Sequence, residues 1–155
     1  MATSAAPAAV GALLSILRAA PALDGVHIVD GPPSVNLTDR HRIYVGYSPG
    51  ADVSIDIGQS FAGAGARIRD EDGSIACYAE TRAGDKDMAL RRDRAFELLA
   101  AVEAALRATD AAPEAPTLNG TVLWSGLTAG SLVQEQGPNG ALAGLSFTVA
   151  YRARI

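Results

Sequence analysis

Two stretches of the chain have the apolar spacing of amphipathic helices. The first predicts a helix over residues 8–20, because four apolar residues recur at i, i+3, i+4 and i+7 before Pro21 and Gly25. The second predicts a helix over residues 85–108, with Asp85 as its N-cap. The residues that define the two stripes are Val10, Leu13, Leu14 and Leu17, and then Met88, Ala95, Leu99, Val102 and Leu106.

The charged residues of the second predicted helix are interpreted as a solvated face. Asp87 and Glu103 stand four residues before Arg91 and Arg107, which is the favourable order for ion pairs along a helix. The basic cluster at residues 91–94 is interleaved with acidic residues. This pattern favours a solvated surface over a phosphate site.

Short runs of β-branched and aromatic residues predict the first strands. Residues 26–29 and 43–47 each end at a turn rich in Gly and Pro, and residues 52–57 alternate apolar and polar side chains. His27 lies in the first run and is expected to be buried, whereas His41 is expected in a loop. Each is interpreted as a structural or surface histidine.

The middle of the chain predicts a long hairpin. Residues 59–69 alternate in the manner of a strand, residues 70–73 end in Asp-Gly and favour a tight turn, and residues 74–82 form the returning strand. The first arm has small side chains, so its register is weakly specified. We therefore expect this arm to be mobile or to be ordered by a partner.

The last part of the chain predicts two strands joined by a turn at residues 137–140. The first covers residues 121–136 and is interrupted near residues 126–130, which predicts a bulge. Trp124 in this strand is expected to lie in the core, and an interface anchor is the alternative interpretation. The last strand has the cleanest alternation, and its expected inward residues are Leu145, Phe147, Val149, Tyr151, Ala153 and Ile155.

Composition and charge narrow the class of protein. With 155 residues, 48% hydrophobic and 19% charged, the sequence predicts one globular domain over residues 1–155. A net charge of −4 argues against a protein that grips phosphate backbones, and one cysteine with two histidines leaves no internal disulfide and too few ligands for zinc. No Lys or Arg precedes the first apolar run, which favours a mature cytosolic start over a signal peptide.

No motif for reactive or cofactor chemistry is complete. Gly63 and Gly65 lack the third glycine and the helix of a dinucleotide site, and Asp70 and Asp72 are followed by an apolar strand instead of further calcium ligands. Lys86 lacks the neighbours of a phosphate-binding loop, and there is no Gly-x-Ser-x-Gly elbow. The sequence predicts no catalytic residue, no cofactor and no metal.

The order and composition of several segments carry a family resemblance. They are LLSILR at 13–18, VHIVDGPP at 26–33, IYVGY at 43–47, GDKD at 84–87, RAFELLAAVE at 94–103, GSLVQEQ at 130–136, FTV at 147–149 and RARI at 152–155. In these segments the chain resembles the tail terminator, or tail completion, proteins of long-tailed phages and prophages of GC-rich bacteria.

The resemblance implies a fold and a structural role in place of an enzymatic one. The implied fold is α+β, with a mixed or antiparallel sheet packed against two helices in a single domain. Such proteins assemble as a ring, commonly a hexamer, that binds the end of the tail tube, stops its polymerisation and joins a head-tail connector or stopper protein. The implied location is the virion, after assembly in the host cytoplasm. DNA would pass through the lumen without specific binding, and no membrane is involved.

The expected subunit interface follows from the segments that have least reason to be stable alone. The hairpin supplies six of its residues: Phe61, Arg67, Arg69, Asp70, Glu71 and Asp72. Arg152 and Arg154 lie on the outer face of the last strand and are expected to pair with acidic groups across a subunit boundary. An ordinary hairpin on a solvated sheet is the alternative interpretation.

Two other functions stay open at this point. A different neck component, such as a stopper or connector, shares the setting but has other contacts. A small ligand-binding domain or enzyme is the second alternative. A deep polar pocket that holds His27 or His41 beside a carboxylate would favour this hypothesis.

Overall fold

The computed structural model describes residues 2–33, 40–65 and 67–155, and within them two helices cover one face of a six-stranded sheet. Ala66, in the predicted first arm of the hairpin, lies outside the described residues. The helices are α1 (Ala6–Ala19) and α2 (Met88–Ala105). The strands are β1 (His27–Asp30), β2 (His41–Val45), β3 (Ile55–Phe61), β4 (Arg69–Ala83), β5 (Trp124–Gly137) and β6 (Gly140–Arg154).

The sheet is mixed and is built around β4. Its order is β1-β2-β4-β6-β5, with β1 and β2 parallel and the other described pairs antiparallel. β2 pairs with the second half of β4, and β3 pairs with the first half on the same side. The sheet therefore ends at β5 on one side and at β1 and β3 on the other. The predicted α+β fold, with a mixed sheet packed against two helices, is confirmed.

One apolar core fills the space between the helices and the sheet. The inward alternation predicted for the last strand is confirmed, since Leu145, Phe147 and Val149 are buried. On β4 the buried apolar residues are Ile75, Cys77 and Ala79, and on α2 they include Ala95, Leu98 and Val102. The core is therefore formed by the inward-facing residues of β4 and β6 and by the apolar residues on the sheet-facing side of the helices.

The predicted position of the hairpin turn is wrong. Residues 70–73 lie inside β4, where Asp70 pairs with Ser60 on one side and with Arg154 on the other. The chain turns instead between Phe61 and Arg69, and Gly65 there has a φ of +76°, a conformation that glycine adopts without strain. The acidic run could join the strand because its carboxylates find partners on neighbouring elements.

Three local predictions need correction and one is confirmed. α2 begins at Met88 with Asp87, not Asp85, as the N-cap, because the Asp87 carboxylate accepts a hydrogen bond from the Leu90 N–H at 3.1 Å. His27 is exposed on the edge strand β1, and Trp124 is 47% exposed instead of lying in the core. The predicted bulge is present in β5, between residues 127 and 129. No helix in the described ranges is long and apolar enough to cross a membrane.

Candidate assembly surface

The outer face of the sheet, which the helices do not cover, carries an acid–base network. The β4–β6 register places Asp70 opposite Arg154 and Asp72 opposite Arg152. Arg154 Nε donates to Asp70 Oδ1 at 2.8 Å, and Arg152 Nη2 donates to Asp70 Oδ2 at 3.4 Å. Hydrogen bonding to Arg154 is the main cause that lowers the pKa of Asp70. The two arginines thus pair with carboxylates of their own chain.

On the opposite face of the sheet, Glu71 of β4 is fully buried next to the N-terminal end of α1. Its Oε1 accepts hydrogen bonds from Ser4 Oγ at 2.9 Å, from the Ala5 N–H at 3.1 Å and from Tyr151 Oη at 2.8 Å. Its Oε2 accepts from Gln59 Nε2 at 2.6 Å. The carboxylate therefore ties the N-terminal segment, β3 and β6 to β4.

The donors around Glu71 outweigh the cost of its burial. Burial raises the pKa of this carboxyl, but hydrogen bonds from Gln59, Tyr151, Ser4 and Ala5 together hold it below its usual value. Tyr151 shows the reverse effect, since burial and its bond to Glu71 raise the pKa of the phenol. The cluster therefore consists of a charged carboxylate surrounded by neutral hydrogen-bond donors. Such an arrangement stabilises the fold.

The β3 hairpin presents apolar side chains to solvent along a free sheet edge. Phe61 is 71% exposed at the end of β3, Ile57 is exposed on the same strand, and Val53 is exposed just before the strand begins. Ile68 and Arg67, in the turn that follows, are exposed as well. Large apolar side chains grouped on an edge strand are typical of a surface that another chain covers.

The opposite edge of the sheet is also open. β5 is 14 residues long and pairs only with β6 among the described strands. Leu123, Trp124 and Val133 along it are exposed. The single ionisable residue of β5 is Glu135, and β3 likewise has one, Asp56. Neither edge carries the lysines or prolines by which soluble proteins block strand addition, although the β5 bulge interrupts one part of its edge.

The eight predicted interface residues fall into separate places. Asp70, Asp72, Arg152 and Arg154 form the network on the outer face. Phe61 is exposed on the β3 edge and Arg67 in the turn, while Arg69 Nη1 donates to Gln59 Oε1 at 2.8 Å. Glu71 is enclosed within its own chain, so it is not available to a partner. The exposed β5 edge was not predicted from the sequence. The low number of charged residues in this segment is a signal that could have indicated it.

Histidine and cysteine are the potentially reactive side chains outside these surfaces. His41 Nδ1 lies 2.9 Å from Thr81 Oγ1, and burial raises the pKa of the Cys77 thiol to about 12. An open groove of about 690 Å³ runs between the C-terminal ends of α1 and α2, is lined mainly by alanine, and contains neither histidine. Among the described side chains, no group of three or more His, Cys, Asp or Glu residues is placed to hold a metal.

The comparisons with known proteins show similarity at the level of fold. No protein-family model and no curated protein sequence matches the chain. A solved structure described as the virion of a native gene transfer agent (GTA) particle contains a chain with a TM-score of 0.65 and 14% sequence identity. The similarity covers 99% of this chain and 100% of that chain. At this identity the likeness establishes a shared fold along the whole chain.

Proposed function

We propose that the protein is a structural component of a phage-like virion and that it closes the end of the tail tube as a ring. The observation that carries this proposal is the end-to-end fold similarity to a chain of a gene transfer agent virion. The similarity covers 99% of this chain and 100% of that chain, so it extends along the fold and is not confined to one part of it. The resemblance of several segments to tail terminators supplies the finer assignment.

The two open edges of the sheet support assembly into a ring. β5 lies at one side of the sheet and β3 at the other, so a contact between β5 of one copy and β3 of the next is head-to-tail. A head-to-tail contact closes into a ring when its rotation divides the full circle. A hexamer, as commonly formed by tail terminators, is the ring size we propose.

The charge of the chain is compatible with a ring around DNA. Its net charge is −4, and on the outer face Asp70 and Asp72 already engage Arg152 and Arg154. Arginines neutralised in this way attract phosphate weakly, so DNA would pass without being retained. The proposed partners are therefore further copies of the chain, the tail tube protein and a head-tail connector or stopper protein.

Oligomeric state and tube binding test the proposal. Light scattering over a concentration series and electron microscopy would be applied to the purified chain, alone and with the tube protein of the same particle. We expect rings that bind the ends of tubes. Phe61→Asp on the β3 edge and Val133→Asp on the β5 edge should each weaken association about 10-fold or more, because a charge would enter a covered apolar contact.

Leu90→Asp is the matched control, since Leu90 is 47% exposed in the first turn of α2 and belongs to neither edge strand. It should leave association unchanged, and circular dichroism should report the same fold for all three variants. A chain that neither forms rings nor binds tube ends would contradict the proposal. A chain that instead binds a head connector and ignores tube ends would identify a stopper.

A further inference from the structure

A buried arginine without a carboxylate partner lies where α2 crosses the sheet. Arg91 is only 8% exposed, and its Nη1 donates to Thr81 Oγ1 at 3.1 Å. Its Nε finds no acceptor among the described residues, and Arg91 takes part in none of their ion pairs. A guanidinium withdrawn from water is costly unless an anion compensates it.

Further cationic groups lie close to Arg91. Arg40 is exposed just before β2, and His41 is half-buried at the first position of that strand. Arg94 stands one helical turn after Arg91, and its Nη1 is 2.8 Å from Glu97 Oε2. Glu97, a carboxylate on α2, therefore engages Arg94 and not Arg91.

Of the other acidic groups near Arg91 on these elements, Asp93 on α2 is exposed to solvent, and Asp87 and Glu80 have other partners. Asp87, the acid one turn before Arg91, accepts from the Leu90 N–H as the helix cap. Glu80 precedes Thr81 on β4, so its side chain points to the opposite face of the sheet, where it pairs with Arg82 and Arg42. The predicted pair of Asp87 with Arg91 is consequently not formed.

Hydrogen-bond directions define what this cluster offers to a ligand. Arg91 donates to the Thr81 hydroxyl, so that hydroxyl can donate its own proton to His41 Nδ1, at 2.9 Å. A neutral His41 then carries its proton on Nε2 and is a donor there. The unsatisfied groups of the cluster are therefore N–H donors on positively charged or neutral side chains.

We propose that Arg91, His41 and Arg94, with Arg40 at the rim, form a binding site for a single oxyanion, a phosphate or carboxylate group. Such a ligand supplies acceptor oxygens to the free donors and compensates the buried guanidinium. The site is separate from both free edges of the sheet and does not depend on the proposed ring.

The protonation of His41 provides a probe of this site. Burial lowers the pKa of His41, and the charges of Arg94, Arg91 and Arg40 lower it further. A bound anion opposes these charges and should raise the pKa by about 1. The chain has only one other histidine, His27 on the exposed edge strand β1, which serves as an internal reference.

NMR titration of the two histidine rings in the full-length protein tests the proposal. Spectra across pH 5 to 8 would be recorded in sodium chloride, sodium phosphate and sodium acetate at equal ionic strength. We expect phosphate or acetate, relative to chloride, to raise the pKa of His41, with the His27 ring signals in the same spectra as the internal reference. A response to phosphate identifies a phosphate ligand, and a response to acetate alone identifies a carboxylate. Equal titration of His41 in all three salts would overturn the proposal.

Arg91→Met removes the guanidinium and keeps an apolar side chain of similar length. We expect it to weaken anion binding at least 10-fold, while Arg92→Met, at an exposed residue bonded to Gln134, leaves binding unchanged. Arg94→Gln, at the half-exposed rim, provides a second variant if Arg91→Met unfolds, and should weaken binding several-fold. Wild-type anion affinity in both Arg91→Met and Arg94→Gln would also overturn the proposal.

Discussion

Glu71 supplies a carboxylate acceptor at the N-terminus of α1, where Ser4 Oγ also accepts a hydrogen bond from the Ala6 N–H at 3.0 Å. The residue at the N-cap position is Ala5, whose side chain cannot accept a hydrogen bond. The Glu71 carboxylate, 66 positions later in the chain, accepts from the Ala5 N–H instead and lies at the positive end of the helix dipole. A residue that we first assigned to a surface turn therefore holds the first helix onto the sheet.

Glu71→Gln should destabilise the fold by about 1–3 kcal/mol, because the amide nitrogen replaces an acceptor with a donor among groups that already donate. The measurement is the free energy of unfolding from urea denaturation at pH 7. Asp72→Asn is the control, since Asp72 is the exposed neighbour on β4. Equal stabilities of the two variants would show that the cluster contributes little.

The same carboxylate predicts how stability depends on pH. The folded-state pKa of Glu71 lies below its usual value, so its contribution to stability is present above the unfolded-state pKa and is lost as pH falls through the folded-state pKa. Asp70, whose pKa is also lowered, acts in the same direction. Unfolding measured from pH 7 down to pH 3 should show falling stability in the wild type and a smaller fall in Glu71→Gln. Parallel curves for the two proteins would contradict this assignment.

At the level of elements, two glycines under tyrosine rings fix the register of the long strands. Gly73 on β4 lies beneath the ring of Tyr151 on β6, and Gly144 on β6 lies beneath the ring of Tyr78 on β4. Because Gly73 has no side chain, the Tyr151 ring can cross it and place its hydroxyl on Glu71. A shift of register would separate each ring from its glycine.

Gly73→Ala should cost about 1–3 kcal/mol, because its Cβ would overlap the Tyr151 ring and displace it from Glu71. Thermal or urea unfolding measures this cost. Gly58→Ala on β3 is the matched control, since a Cβ there meets no atom within 4 Å and should change stability by about 0.5 kcal/mol or less. An unchanged Gly73→Ala protein would mean that the ring moves aside without loss.

The predicted strand pattern was correct where one face of the strand packs against the core. The predicted strand boundaries were wrong where the side chains bond to residues from distant parts of the chain. The alternation in β6 was readable because its inward residues, from Leu145 to Tyr151, meet the same core. The end of β3 and the acidic start of β4 were misread, because their pairing depends on Arg154 and on the N-terminal segment. Local turn propensity at Asp72 and Gly73 lost to these tertiary bonds.

For the whole molecule, the open edges are the main surface property. β5 and β3 bound opposite sides of one sheet and carry exposed Trp124 and Phe61. Trp124 is the single tryptophan of the chain, so its fluorescence reports on the β5 edge alone. Burial of that edge in a ring would change this signal.

Trp124 emission should move to shorter wavelength and become protected from iodide as protein concentration rises or as tubes are added. The reason is that a tryptophan that is 47% exposed in the single chain loses contact with water when another copy covers it. Val133→Asp, on the same strand, should keep the emission of the dissociated protein. Emission that is unchanged when light scattering reports assembly would place the contact elsewhere.

The candidate surface was only partly predictable. Phe61 was assigned to an interface from the hairpin pattern and is exposed, and its role in assembly stays a prediction. Arg152 and Arg154 were correctly placed on the outer face, but their carboxylate partners lie in the same chain. Arg91, interpreted from its spacing as part of a solvated helix face, is buried instead. Helical spacing predicts which residues share one side of a helix. It does not predict which neighbouring element covers the end of that helix.

The sequence by itself determined the amphipathic helices and the last hairpin, because these depend on periodicity and turn chemistry within short segments, whereas the α+β class came from the resemblance to tail terminators. Only the tertiary structure decided that Glu71 accepts from the Ala5 N–H at the start of α1, that Arg91 is enclosed without a carboxylate partner among the described residues, and that β3 and β5 lie at opposite edges of the sheet. Each of these depends on groups brought together from distant parts of the chain. Burial and hydrogen bonding between such groups outweigh local propensity, and no single segment encodes them.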